Sequence, residues 1–132
     1  MNQSVQLSDL LLTDIQPSQF YLSRQKLEQI QSWFDPSDLS NFVPCPVHLL
    51  GGHIVFTDGH TRAYAAFIAG LTKIPLTWEK ATLSWDLYQK CVDACRLRGV
   101  NSIADLSNRI LTAEEYETKW LGWCRKMQAS AP

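Results

Sequence analysis

The segment that decides the fold is IVFTDGHTRAYAAFIAGLTKIPL, residues 54–76. Its apolar start predicts a strand, and the alanine-rich run that follows contains strong helix formers up to Gly70, a favoured residue just after a helix. The next stretch, KIPLTWE at 73–79, predicts another short strand. The segment therefore predicts a strand, a helix and a strand, and DGHTR at 58–62 joins the first strand to the helix.

The sequence before this segment predicts a hairpin and one helix. VHLLGGHIVFT, residues 47–57, reads as two strands joined by Gly51-Gly52, a pair that accepts the positive φ angles of a two-residue turn. Apolar residues recur at helical spacing after Ser23, a good N-cap residue, so a helix is predicted over 23–34. Residues 5–15 mix aliphatic and polar residues ahead of a turn, and a short strand is predicted there.

The last third of the chain predicts helices. Ser84 stands where it would cap a helix that ends at Gly99. Two more helical segments are predicted over 102–111 and 112–127. Each begins with the spacing of a capping box, in which a hydroxyl residue is followed three positions later by a carboxylate.

These elements place the chain in the α+β class. Residues 1–80 are expected to form a small mixed sheet with packed helices, and residues 81–132 a helical extension that packs on this core within a single domain. At 132 residues with 45% hydrophobic composition, the chain is long and apolar enough for one core.

Charge and cysteine content narrow the function classes. Twelve basic and 13 acidic residues leave a net charge of -1, so overall charge gives no support for non-specific nucleic-acid binding. The first 20 residues lack the basic and apolar regions of a secretory signal, and no apolar run reaches the ~18 residues of a membrane span. Four cysteines are too few for a disulfide scaffold and predict free thiols. A cytoplasmic protein without membrane contact is predicted.

The junction at residues 58–62 is the candidate functional site. The first N–H groups of a helix have no partner within the helix and lie at the positive end of its dipole, so they need an electronegative partner. Asp58 is predicted to cap the helix, Gly59 to let the backbone turn closely, and Arg62 to offer a planar fork for phosphate oxygens. An equally simple interpretation is that Asp58 only caps and Arg62 is only a surface or ion-paired side chain.

The same residues resemble a known family. Residues 54–76 look like the strand, Gly-His-x-Arg, helix, strand segment of the ParB/sulfiredoxin superfamily, and the preceding segments DIQPSQFYLSRQKLEQIQSWF (14–34) and FVPCPVHLLGG (42–52) follow the same order. The resemblance covers roughly residues 8–78. The superfamily includes ParB N-terminal domains, sulfiredoxins and free-serine kinases, which hold the phosphates of CTP, ATP and ADP or ATP at this helix start.

The resemblance implies a nucleotide ligand, a nucleoside diphosphate or triphosphate, with Mg²⁺. By position, Gly59, His60 and Arg62 are the phosphate-contacting residues, and Thr61 adds a hydroxyl donor. Asp58 would orient the loop or hold Mg²⁺ through water, and no other metal ligand is predicted. Lys73 and Trp78, farther along the unit, are weaker candidates for contacts to the phosphates and to a base.

Departures from the family leave the activity open. Sulfiredoxins carry their nucleophilic cysteine where this chain has Gly59, so that thiol chemistry is excluded. Serine kinases use a glutamate in the loop after the first strand, but the corresponding IQPSQFYLS, residues 15–23, has no carboxylate. Asp14 and Glu28 flank this loop and, with Asp58, are the remaining candidates for a catalytic base. Nucleotide hydrolysis or phosphate transfer to a small molecule therefore stays one hypothesis.

A second hypothesis is a non-catalytic adaptor that binds a protein partner, or a second copy of itself, through the helical extension. A third is a DNA-binding ParB relative with a helix-turn-helix over 99–127, which the acidic start of its second helix disfavours. A zinc site formed by the C-x-x-H at Cys45 and His48 with Cys91 and Cys95 is outweighed by core packing, and His48 is predicted to lie on the hairpin surface. The tryptophans in helical patterns, Trp33, Trp85, Trp120 and Trp123, are predicted to be buried.

Overall fold

The central sheet is built on the glycine hairpin. In the computed structural model, which describes residues 5–129, strands β2 (Cys45–Leu50) and β3 (His53–Phe56) pair antiparallel. Gly51 and Gly52 form the turn with φ angles of 58° and 83°, which confirms the predicted hairpin. Strand β4 (Leu76–Trp78) pairs with β2 in parallel, and the strand order is β3-β2-β4. The α+β class is therefore confirmed.

A second, two-stranded sheet joins the two halves of the chain. Strand β1 (Leu22–Ser23) pairs in parallel with β5 (Ile110–Leu111). The prediction of a helix over 102–111 is wrong. Only Ile103–Leu106 are helical, and they form a 3₁₀ helix that begins with the predicted capping box. The two apolar residues of β5 follow and complete the ladder that β1 begins. The extension therefore contributes a strand as well as helices.

Residues 5–129 contain five α-helical segments in addition to the sheets. Their bounds are α1 Arg24–Gln31, α2 His60–Ile68, α3 Trp85–Leu97, α4 Ala113–Glu115 and α5 Gly122–Ala129, and a π-helical stretch, Tyr116–Leu121, joins the last two. Ser23 caps α1 as predicted, with its hydroxyl accepting from the Lys26 N–H at 3.2 Å. The capping box between Thr112 and Glu115 also forms. The helices predicted after Ser23, Gly59, Ser84 and Thr112 are confirmed in position, although α1 is shorter than predicted.

The strand predicted over residues 5–15 is wrong. Two 3₁₀ turns, Leu7–Asp9 and Leu12–Asp14, occupy this segment. The Asp14 carboxylate accepts a hydrogen bond from the Leu11 N–H at 3.0 Å, which ties the second turn together. Pairing with the central sheet starts only afterwards, as a single parallel bridge between Gln16 and Val55.

The extension shares the hydrophobic core of residues 5–80. Phe20 is enclosed by the rings of Trp120 and Trp123, each 4.9 Å away in an edge-on arrangement. Residues from the extension that are buried in the same cluster are Cys95, Val100, Ile103, Leu106, Leu111, Tyr116 and Trp120. Burial of these side chains is the main force that holds the extension in place.

Two aromatic predictions are wrong. Trp33 is 47% exposed, because α1 ends before it and its ring meets only the edge of Phe34. His48 is half-buried rather than on the hairpin surface, since its ring stacks on Trp85 with centroids 3.6 Å apart. The stack is a further contact between the sheet and the extension.

Residues 99–127 do not form the two helices of a helix-turn-helix. A 3₁₀ turn, strand β5, the short helix α4, the π-helical stretch and most of α5 occupy this part of the chain. Separately, within residues 5–129 no helix combines the length and the apolar character that crossing a membrane requires.

Candidate functional site

The first N–H groups of α2 have no acceptor within the described residues. Gly59, not Asp58, is the N-cap, with φ 78° and ψ 17°, and it offers no capping side chain. The first bond from this turn runs from the Ala63 N–H to the Gly59 carbonyl at 2.9 Å, so the N–H groups of residues 60–62 find no acceptor among residues 5–129. The prediction that Asp58 caps the helix is wrong, because a left-handed glycine takes the N-cap position and the Asp58 side chain stays exposed.

Gly59 lies under two side chains. A Cβ added to it would stand 2.8 Å from Arg62 Nη2 and 2.8 Å from Cys45 Sγ. The Arg62 side chain therefore folds back toward the start of its own helix. Cys45 is fully buried at the beginning of β2 and holds its side of this contact rigidly. Only glycine satisfies both the positive φ and the close approach.

Arg62 brings a partly unsatisfied guanidinium to this end of the helix. Its Nε is the one enclosed side-chain nitrogen or oxygen without a hydrogen-bond partner within residues 5–129. No carboxylate lies within 4.0 Å of the guanidinium, since the ion pairs of the described chain involve other residues. Burial raises the pKa of the neighbouring Cys45 thiol to about 11, against the opposing effect of the Arg62 charge, so the thiol stays neutral and does not balance that charge.

His60, the first residue of α2, is buried and held by the loop before β1. The Ser18 N–H donates to His60 Nε2 at 3.0 Å, and the Ser18 hydroxyl donates to the Phe56 carbonyl at 2.7 Å. Burial lowers the pKa of His60 to about 4, while the charge of Asp58 acts in the opposite direction. The ring is therefore neutral at physiological pH, and Nε2 is not free for a phosphate.

A cavity of about 220 Å³ lies between the core and the extension, beside His60. Its walls come from the loop before β1, the end of β3, and helices α3 and α5 with the π-helical stretch. The lining residues are Ser18, Gln19, Thr57, His60, Leu87, Tyr88, Cys91, Trp120, Trp123, Cys124, Met127 and Gln128. Of the four predicted phosphate contacts only His60 lines the cavity, whereas Gly59, Thr61 and Arg62 do not.

The other predicted site residues are distributed as follows. Thr61 is half-buried and Asp58 exposed, both at the junction, and the Asp58 charge reaches the His60 ring. Glu28 is exposed on α1, Asp14 holds its own 3₁₀ turn, and neither lines the cavity. Lys73 is exposed between α2 and β4. Of the three candidate bases, Asp58 belongs to the junction. Asp14 and Glu28 make no hydrogen bond or ion pair with it among the described residues.

The cysteine and histidine side chains of the described residues do not form a metal site. Within residues 5–129 no three His, Cys, Asp or Glu side chains lie close enough together to hold an ion. All four cysteines are free thiols; Cys45 and Cys95 are buried, and Cys91 and Cys124 are half-buried. His48 is engaged with Trp85 instead of Cys45.

Sequence reasoning missed Ser18 and the cavity walls. Ser18 lies 42 positions before His60, and no local pattern connects the two. The aromatic walls come from helical positions that the sequence identified only as core. Comparison with protein-family models, with curated proteins and with solved structures finds no match to this chain.

Proposed function

We propose that the protein binds the phosphate groups of a nucleotide at the N-terminal end of α2. The observation that carries the proposal is the Arg62 guanidinium folded back over Gly59 with no carboxylate partner, next to helix N–H groups that have no acceptor. Backbone N–H groups at a helix start together with a planar guanidinium are the donors that phosphate oxygens prefer. The resemblance of residues 54–76 to the ParB/sulfiredoxin superfamily supports the same ligand.

The size of the cavity favours a phosphate chain bound at the surface. Pockets that enclose drug-sized ligands measure about 300–1,000 Å³, and the cavity beside His60 has about 220 Å³. A complete nucleotide does not fit inside it. The phosphates would then lie in front of the N–H groups of residues 60–62, with the Thr61 hydroxyl as a further donor.

Magnesium would be held mainly by the ligand. Mg²⁺ in nucleotide sites takes one or two protein carboxylates, the phosphate oxygens and water. Asp58 is exposed at the junction and is the one carboxylate in residues 57–62. Asp58 is accordingly our candidate Mg²⁺ ligand, through water.

We infer a binding function in preference to an enzymatic one. Phosphoryl transfer and hydrolysis need a residue that orients or deprotonates the acceptor. Asp14 and Glu28 have no contact with the junction, which leaves Asp58 for both this task and the metal. The four free thiols are those of a protein in a reducing compartment, for which we propose the cytoplasm.

A panel of nucleotides tests the proposal through the melting temperature. A ligand that binds only the folded protein raises this temperature by mass action. We expect a nucleoside diphosphate or triphosphate with Mg²⁺ to raise it, and the matching free nucleoside to raise it less. Equal shifts by nucleotide and nucleoside would contradict phosphate binding.

A second candidate function, a protein-binding adaptor, is favoured by one surface feature. Leu97, at the end of α3, is 85% exposed, the largest exposed fraction among the large apolar side chains of residues 5–129. An exposed leucine on the extension is suited to contact a partner or a second copy. Light scattering on the full chain and on Leu97→Glu tests this function; a dimer that the substitution dissociates would support it, and a monomer that captures no partner would not.

A further inference from the structure

His60, which lines the cavity, carries a hydrogen-bond donor at Nδ1. His60 is 4% exposed, and its Nε2 accepts from the Ser18 N–H, so the proton of the neutral ring is on Nδ1. No acceptor for Nδ1 exists among residues 5–129. Nδ1 is not enclosed either, since Arg62 Nε is the one enclosed polar side-chain atom without a partner in that range. His60 therefore carries an unpaired N–H, and it is one of the residues that line the cavity.

Two other polar side chains around the cavity already donate hydrogen bonds within the fold. The Tyr88 hydroxyl donates to the Thr57 carbonyl at 3.0 Å. The Gln19 side-chain amide donates to the Tyr21 carbonyl at 2.8 Å and to the Tyr116 hydroxyl at 3.1 Å. The Nδ1–H of His60, by contrast, has no partner among residues 5–129 and can donate to a ligand.

The other walls are apolar and aromatic. Trp120 and Trp123 stand nearly parallel, with centroids 5.6 Å apart, and Leu87 and Met127 belong to the same lining. Burial raises the pKa of Cys91 to about 11 and also raises that of Cys124, so both thiols face the cavity as neutral groups. These surfaces fit the faces and edges of a ring.

The electrostatics select a neutral ligand. No Asp, Glu, Lys or Arg lines the cavity. Burial lowers the pKa of His60 and raises that of Tyr88, and the negative charge of Asp58 acts toward a higher pKa at both groups. An anion in the cavity would meet this field without a cation to balance it, because Arg62 is not among the lining residues.

Volume sets the size of the ligand. An apolar cavity of about 150 Å³ accepts benzene, and this one has about 220 Å³. We propose that the cavity between α3, α5 and the His60 end of α2 is a binding site for a small neutral aromatic molecule of one substituted ring, whose hydrogen-bond acceptor takes the Nδ1–H of His60. The proposal is independent of phosphate binding, because the Arg62 guanidinium plays no part in it.

Three single-ring probes and the five tryptophans provide the test. Benzamide is neutral and carries a carbonyl acceptor, toluene lacks the acceptor, and benzoate carries a charge. We expect benzamide to shift the indole N–H signals of Trp120 and Trp123 saturably in an NMR titration of the full chain. The exposed Trp33 and Trp78 serve as internal references that stay unchanged. Toluene should bind more weakly, and benzoate most weakly.

Two variants test the His60 hydrogen bond and the cavity volume separately. His60→Phe keeps a ring but removes the N–H, and should weaken benzamide about three- to tenfold, the effect of one neutral hydrogen bond, with little change for toluene. Cys124→Phe fills the cavity from a half-buried position and should abolish binding of both. His53→Gln, on the exposed hairpin, is the matched control and should bind like the natural chain.

The proposal is overturned by any of four results. These are no saturable shift at millimolar benzamide, equal shifts of the reference tryptophans, benzoate binding as tight as benzamide, or unchanged benzamide binding in Cys124→Phe. The three probes on the natural chain and the Cys124→Phe variant decide the question even where His60→Phe does not fold.

Discussion

The backbone N–H of Ser18 and Nε2 of His60 are joined by a hydrogen bond of 3.0 Å. This contact fixes the first residue of α2 against the loop that precedes β1. It also fixes the proton of the imidazole on Nδ1, since protonation of Nε2 would set two donors against each other.

The first prediction concerns pH and this histidine. The pKa of His60 falls from 6.5 to about 4 on folding. The unfolded chain therefore binds the proton more readily, so the stabilisation is complete above pH 6.5 and is lost as the pH falls toward 4. Between pH 7 and pH 5 the free energy of unfolding should drop by roughly 2 kcal/mol from this group. Urea unfolding across that range measures it.

Two variants provide the comparison for the pH prediction. His60→Gln should flatten the pH dependence, whereas His53→Gln, on the exposed hairpin, should retain it. An unchanged slope in His60→Gln would assign the pH dependence to other groups.

The second prediction separates backbone strain from crowding at Gly59. Gly59→Ala and Gly52→Ala both place a Cβ on a residue with φ near 80°, 78° and 83° respectively. The new Cβ meets Cys45 Sγ and Arg62 Nη2 at Gly59 but nothing within 4 Å at Gly52. Gly52→Ala should cost about 1 kcal/mol and Gly59→Ala at least about 1–3 kcal/mol more. Equal losses of unfolding free energy, measured with urea, would show that Arg62 and Cys45 move away from the new Cβ at no cost.

The third prediction concerns Arg62 and pyrophosphate. Arg62→Ala should weaken pyrophosphate binding roughly tenfold or more, because a charge-assisted pair of hydrogen bonds is lost. Arg24→Ala, on the exposed face of α1, removes the same charge away from the site and is the matched control. Calorimetric titration measures both affinities. Identical values for the two variants would remove Arg62 from the proposed site.

The fourth prediction concerns thiol reactivity. Burial raises the pKa of Cys45 from 9.0 to about 11 and that of Cys95 to about 12, and both side chains are 0% exposed. Each unit of pKa lowers the thiolate fraction near neutral pH about tenfold. Iodoacetamide should therefore modify the half-buried Cys124 first and leave Cys45 and Cys95 unmodified until the protein unfolds, as mass spectrometry of the peptides will show. Rapid labelling of Cys45 would contradict its rigid placement under Gly59.

The local elements of this fold were predictable from short patterns. Gly51-Gly52 between two apolar runs gave the hairpin, because the turn chemistry and the strand pattern agree. Ser23 and the capping box of Thr112 and Glu115 predicted the starts of two helices. These starts are local features, because each capping side chain accepts from an N–H group only three residues away. The helix after Gly59 was predicted from its run of helix-forming residues and from Gly70 at its end.

Contacts between distant segments were not predictable. Ile110 and Leu111 read as the end of a helix, and pairing with β1 overrides this local preference. The cavity escaped prediction because its walls come from four separate stretches of the chain, 18–19, 57–60, 87–91 and 120–128. The resemblance predicted that His60 contacts phosphate, whereas its bond to Ser18 depends on a fold that no local pattern encodes. The N-cap was misassigned because Asp58 has the better capping side chain but Gly59 has the backbone that the tight turn requires.

The parallel pairing of β1 with β5 has a consequence for biosynthesis. Leu22 has no strand partner until Ile110, 88 residues later in the chain, has left the ribosome. During elongation at ~5–20 residues per second, the apolar surface that the extension will cover stays exposed for several seconds. The nascent chain is therefore a substrate for chaperones that shield such surface, and its yield in cells should depend on them more than the stability of the finished protein suggests.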